Sequence, residues 1–202
     1  MKAIVGGWRY RAHMSLRVFL DANVIASKTL RDWLFKLSLF DPRVLSLCSS
    51  DLVLEEARRT FARRNPSADR TIVDGLFERI RAMFDHVVIW TGNPSEIDGI
   101  NIDDVHVHHA ALRAEATHLA TSNLRDFQPR QPMPYILCSP DELLVTLTLL
   151  TPNGIKKVAE SEAVYWSGRK SIEPLVKTVP DALFEVDTQH FSQIVRGLLT
   201  AK

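Results

Sequence analysis

Six carboxylates in this chain stand where a strand end or a helix start would present them for chemistry. Asp21 closes the apolar run of "LRVFLDANVI", a costly place for an ionised acid unless something compensates it. Glu55 and Glu56 lie within two turns of the start of the helical stretch "SDLVLEEARR". Asp103 and Asp104 open "DDVHVHHAAL", and Asp126 follows the strand-like "HLATS". Carboxylates drawn together repel one another and raise each other's pKa, and a divalent cation offsets that repulsion. An all-oxygen set favours a hard ion, so Mg2+ or Mn2+ is expected in preference to Zn2+. Taken alone, each acid has an ordinary explanation as a helix cap, a first-turn acid, a solvated helix residue or a loop residue. Their joint placement is what points to a site.

The elements that must position these acids alternate in type. Leu16 to Leu20 reads as a strand, and Leu30, Trp33, Leu34 and Leu37 then recur as the stripe of an amphipathic helix. "VLSLC" (44–48) predicts a second strand, followed by a helix capped by Ser49 or Ser50 that buries Leu54, Ala57 and Phe61 and ends near Asn65-Pro66. A helix over about 68–84, the strand "HVVIW" (86–90), the turn-rich loop "TGNPSEIDGIN" and a helix over about 104–115 follow. Strands at "HLATS" and "PYILC" lead to a helix opened by Ser139-Pro140. This alternation predicts an α/β fold with a mainly parallel sheet covered on both faces. Ligands of such sheets bind beyond the carboxyl ends of the strands, which is where the acids fall.

Composition narrows the class. With 46% hydrophobic residues among 202, the chain can bury a substantial core, and a net charge of +1 leaves nucleic-acid binding to local patches. Its apolar runs are strand-length, so no membrane span is expected, and the N-terminus lacks the apolar core of a signal peptide. Cys48 and Cys138 sit in apolar runs and read as two reduced, buried thiols, which suits a cytoplasmic location. The expected organisation is an extension over 1–14, with Met1 or Met14 as the start, a main domain over 15–150 and a helical region over 151–202.

Four segments, "FLDANVI", "SDLVLEEARR", "DDVHVHHAAL" and "ATSNLRDF", resemble in order the signature segments of the PIN-domain nucleases, most closely the VapC-type toxins of bacterial toxin–antitoxin pairs. The likeness spans about Leu16 to Leu150, and its more specific pieces are Asp21 with Asn23 and Thr121 with Asn123, Asp126 and Phe127. It implies a three-layer α/β/α fold and a Mg2+- or Mn2+-dependent endoribonuclease neutralised by a cognate antitoxin. Carried over residue by residue, the four acids are Asp21, Glu56, Asp104 and Asp126, which would be both catalytic and metal-holding. Asn23, Thr121, Asn123 and Asp103 support them, and Glu55 competes with Glu56 for the second place. His108 and His109 depart from the pattern, which usually has small residues there.

An RNA-cleaving protein needs cations facing phosphates. Residues 58–81 hold seven arginines against three acids, and Arg58, Arg59, Arg63 and Arg125 are the candidate RNA contacts; a solvated face or a surface for an acidic partner is the plain alternative. His106, His108 and His109 include a His-x-His spacing, but the companion ligands of a zinc site are missing, so ordinary histidines are expected. Trp33, Phe61 and Phe77 read as core. The region 151–202 holds Leu175, Val176, Leu183, Phe184, Phe191, Ile194, Val195, Leu198 and Leu199, enough for a small helical unit that packs on the main domain or a partner. Its last helix is expected to be capped by Asp187 or Thr188, and its role is antitoxin binding, homodimer contact or substrate selection. A catalytically weak PIN-fold RNA-binding or scaffold protein is the competing functional reading.

Overall fold

The structure is a computed structural model that describes residues 15–91, 99–128, 132–170 and 177–200. The extension 1–14 with both candidate starts, most of the turn-rich loop, and Leu175 and Val176 lie outside the described residues. Five strands, β1 (Leu16–Leu20), β2 (Leu45–Ser50), β3 (His86–Val88), β4 (His118–Ala120) and β5 (Ile136–Cys138), form one sheet in the order β3-β2-β1-β4-β5. All four pairings are parallel, so the sheet is wholly rather than mainly parallel. β1 carries Val18, Phe19 and Leu20 without exposure on either face, the mark of a central strand covered on both sides.

The chain leaves β1 through a short helix, α1 (Ala22–Ala26), and then α2 (Lys28–Phe40). The expected stripe of α2 is its buried face, with Leu30, Trp33, Leu34 and Leu37 at most 2% exposed. α3 (Asp51–Arg64) is capped by Ser50, whose side chain accepts from the Val53 amide, and ends at Asn65. α4 (Arg70–Ala82) leads to β3, and α5 (Val105–Arg113) crosses from β3 to β4. Motion along the sheet reverses at that crossover, so right-handed connections place α5 on the face opposite α2 and α3. This is compatible with a three-layer α/β/α arrangement. Cys48 and Cys138 are buried free thiols.

α6 (Pro140–Leu150) opens with a capping box in which Ser139 and Glu142 each satisfy the other's backbone amide. α7 (Pro152–Lys170), α8 (Val179–Phe184) and α9 (Gln189–Thr200) follow. α7 packs on α2, and Gly154 permits the approach: a Cβ there would stand 2.9 Å from a ring carbon of Phe40. Lys36 of α2 meets the buried Glu162 of α7 at 2.6 Å, and Glu162 also accepts from the Trp166 indole at 3.1 Å. Phe191 of α9 is fully buried and meets Trp33 edge to face at 4.9 Å. Thr188, one of the two expected caps, occupies the N-cap position of α9 and its carbonyl accepts from the Ser192 amide at 2.8 Å, but its side chain does not cap the helix. Thr188 donates to the Leu183 carbonyl, and the buried Asp141 of α6 instead accepts from the Phe191 amide at 2.9 Å and meets the His190 ring at 2.6 Å. Asp187 has a positive φ of 58°, outside the geometry of a cap.

Candidate active site

The strand order reverses between β1 and β4, which opens a crevice beyond their carboxyl ends. Asp21 stands at the β1 side of that crevice and Thr121 at the β4 side. Asp21 is only 4% exposed. Its Oδ1 accepts from the Ala22 amide at 2.6 Å, so it is the N-cap of α1. Its Oδ2 accepts from the Asn23 side-chain amide and the Thr121 hydroxyl, both at 2.6 Å. The Thr121 hydroxyl, itself buried, also accepts from the Asn23 side chain and the Asn123 backbone amide at 3.0 Å each, which fills all its hydrogen-bonding capacity. Asn23 Oδ1 closes the ring by accepting from the Ser122 amide at 3.0 Å. Asn23 and Thr121 are therefore clasps that tie the end of β1 to the end of β4 and fix the carboxylate between them.

Three further acids are brought to this point by other segments. Asp104 stands at the N-cap position of α5, opening the helix as expected, and also ends a 3-10 turn, Ile102–Asp104; its side chain makes no cap bond to α5. Asp126 closes a second 3-10 turn, Leu124–Asp126, where the Asn123 side-chain amide donates to its carboxylate. The two turns are joined, since the Asn101 amide donates to the Asp126 carbonyl at 2.9 Å and Ile100 pairs with Phe127 in an antiparallel bridge. Glu56 reaches in from α3. Burial, then the charges of Asp21 and Asp126, push the Asp104 carboxyl from 3.8 up to about 6, with Glu56 adding to the rise and His106 opposing it. Asp21 is also raised, chiefly by burial, although Thr121 and Ala22 stabilise its charged form. Asp103 is exposed, and Asn101 caps its amide, so it flanks the cluster from outside.

Glu55 and Glu56 part company. Arg58 forks onto both Glu55 oxygens at 2.7 and 2.8 Å, Arg59 adds a third contact at 2.9 Å, and the Arg58 bonds foremost hold the Glu55 carboxyl down at about 2. Glu56 instead meets Nε2 of His106 at 3.3 Å, a contact of charge rather than an aligned hydrogen bond. The His106 side chain is 11% exposed. Burial works against its protonation, but Glu56, the Asp103 backbone and Asp104 outweigh that and raise its pKa. His106 thus belongs to the cluster; helical spacing sets it on one face with His109 and apart from His108, but does not mark it as a neighbour of the acids. His108 is buried and pairs with the Tyr135 hydroxyl at 2.7 Å, away from the acids.

The four candidate RNA-contacting arginines are placed differently. Arg58 is tied to Glu55 and, at 3.0 Å, to Asp74, so it staples α3 to α4. Arg59 shares Glu55 but is mostly exposed, Arg63 touches only the Thr60 hydroxyl, and Arg125 is exposed beside Asp126.

The donor set fits a hard divalent cation. It consists of carboxylate oxygens, one of them buried, and their mutual repulsion adds to the burial that raises Asp104. Among the described residues, no group of three His, Cys, Asp or Glu side chains is placed to hold a metal ion. Among the same residues, no helix is long and apolar enough to cross a membrane. No protein-family model, curated protein or solved structure matches the chain.

Proposed function

We propose that this protein is a Mg2+- or Mn2+-dependent endoribonuclease of the PIN-domain type, acting in the cytoplasm as the toxin of a pair with a small antitoxin protein. The observation that carries this reading is the convergence of Asp21, Glu56, Asp104 and Asp126, from four separate segments, at the crevice between β1 and β4. Asp21, Asp104 and Asp126 would hold the ion, with Glu56 at the outer side. A bound divalent ion lowers the pKa of water and polarises a phosphodiester. The chain's own contribution is to hold Asp21 in place through Asn23 and Thr121, and to keep Asp126 oriented through Asn123. Arg125 and Arg59 offer exposed cations for the RNA backbone.

The test is RNA cleavage by the purified protein, with and without EDTA, beside Asp21→Asn and Asp104→Asn variants. Cleavage that needs the metal and both acids supports the nuclease. A protein that binds RNA equally well in all variants and never cuts it is instead the RNA-binding or scaffold protein.

A further inference from the structure

Trp90 follows β3 at the same carboxyl edge of the sheet as the acids. Its backbone amide donates to Asp51 Oδ1 at 2.9 Å, which fixes it to the first residue of α3, the helix that carries Glu56. Its indole stacks on the imidazole of His109, with centroids 5.7 Å apart and planes 26° from parallel. His109 lies one turn beyond His106 on α5, and residues three apart on a helix are surface neighbours. His106 touches Glu56 and His109 touches Trp90, so neighbouring positions on α5 lead from the acid cluster to the indole. The five residues from Asp104 to His109 amount to roughly 7 Å along a helix. That is about two steps of a stacked nucleic-acid strand at ~3.4 Å each. Trp90 is half-buried, unlike Trp33, which is sealed in the core.

We propose that Trp90 is a stacking platform for an unpaired nucleobase of single-stranded RNA, one or two nucleotides from the phosphate held at the acids. The proposal rests on the nuclease reading and narrows its substrate class. A duplex keeps its bases stacked on each other and has none to offer the indole, whereas every unpaired base has a π-face. His109 backs the ring and keeps it from folding away, so the platform is rigid before RNA arrives.

The experiment uses the full chain with Asp104→Asn, which suppresses cleavage, and a short fluorescein-labelled single-stranded RNA of mixed sequence, alone or annealed to its complement. Trp90→Ala is expected to weaken single-strand binding by about 5- to 50-fold, and Trp90→Phe to restore it to within about threefold. Duplex binding should be unchanged in both. Single-stranded RNA should also quench tryptophan fluorescence in the parent and much less in Trp90→Phe, a readout that stands even if the alanine variant folds poorly. Single-strand affinity of Trp90→Ala within about twofold of the parent, or equal losses on single strand and duplex, overturns the platform. If the chain with Asp104 intact cleaves RNA but the Asp104→Asn chain binds it without regard to Trp90, only the platform falls. If the intact chain neither binds nor cleaves RNA, the nuclease reading falls with it.

Discussion

Removing the charge of Asp104 should stabilise the metal-free protein at neutral pH. The side chain makes no cap bond to α5, so Asp104→Asn loses little besides the charge. Its carboxyl is raised from 3.8 to about 6, first by burial and then by Asp21 and Asp126. Well below 3.8 the acid is protonated in both folded and unfolded chains and costs nothing. Between 3.8 and 6 the unfolded chain gives up its proton first, so stability falls as pH rises; above 6 the full cost stands. At about 1.36 kcal/mol per pKa unit, the shift corresponds to roughly 3 kcal/mol. Partial exposure of the group screens this to ~1–2 kcal/mol. For a chain of this size the variant's Tm should rise by about 3–6 °C in EDTA near pH 7.5. Most of that gain should vanish near pH 4, where the folded parent holds its proton and the unfolded chain has lost only about half of its own. Mn2+ at about 100 times its Kd should then reverse the order, since it adds about 2.7 kcal/mol to a parent that binds it. Paired thermal melts of parent and variant at the two pH values, with EDTA or Mn2+, measure all of this. A variant less stable than its parent in EDTA at neutral pH, or a gap that does not change with pH, would refute the electrostatic reasoning.

Two further outcomes separate neighbouring residues. Glu56→Gln should lower kcat/KM for RNA by about 10- to 100-fold, the scale seen when groups that orient a metal site are lost. Glu55→Gln should leave cleavage within about threefold and, as a partly exposed ion pair, cost at most ~1 kcal/mol. Steady-state kinetics on both variants tests the assignment, and the reverse pattern overturns it. Phe191→Ala should destabilise the whole protein by about 3–5 kcal/mol, because it empties a fully buried site against Trp33. Urea unfolding should remain a single transition, and a loss below ~1 kcal/mol would mean that α9 is not part of the common core.

The α/β alternation was legible because β1 and α2 have unmistakable periods, and Leu30, Trp33, Leu34 and Leu37 do face the core. Once the strands are known, the acids at their carboxyl ends follow from the geometry of parallel sheets. α1 escaped notice because five residues are too few to show a helical period. Asp104 opens α5 as expected, but the tighter turn before it has no signal in the hydrophobic pattern: Asn101 accepts from the Asp103 amide through its side chain and from the Asp104 amide through its carbonyl. The cap of α9 comes from Asp141, fifty positions before Phe191, and no local pattern announces a bond of that range. The choice between Glu55 and Glu56 was readable in principle. Arg58 and Arg59 stand three and four residues after Glu55, the spacing at which helix side chains pair, which leaves Glu56 free to face elsewhere.

The two readings of Asp21, a helix cap or a metal ligand, are not rivals. An ionised carboxylate offers about four lone-pair positions, and Ala22, Asn23 and Thr121 occupy three of them. The bonds that make it a cap also hold it in place and oppose the burial that would otherwise neutralise it. A carboxylate buried at the sheet edge, with its orientation set from two strands, has one unshared position on Oδ1, and a cation there would offset the burial that raises its pKa. Asp104 lies close enough to feel the charges of both Asp21 and Asp126, and among the described residues the positive group that acts on Asp21 is His106, which is drawn to Glu56. A fold that needed Asp21 only as a cap would gain nothing from gathering three more acids around it.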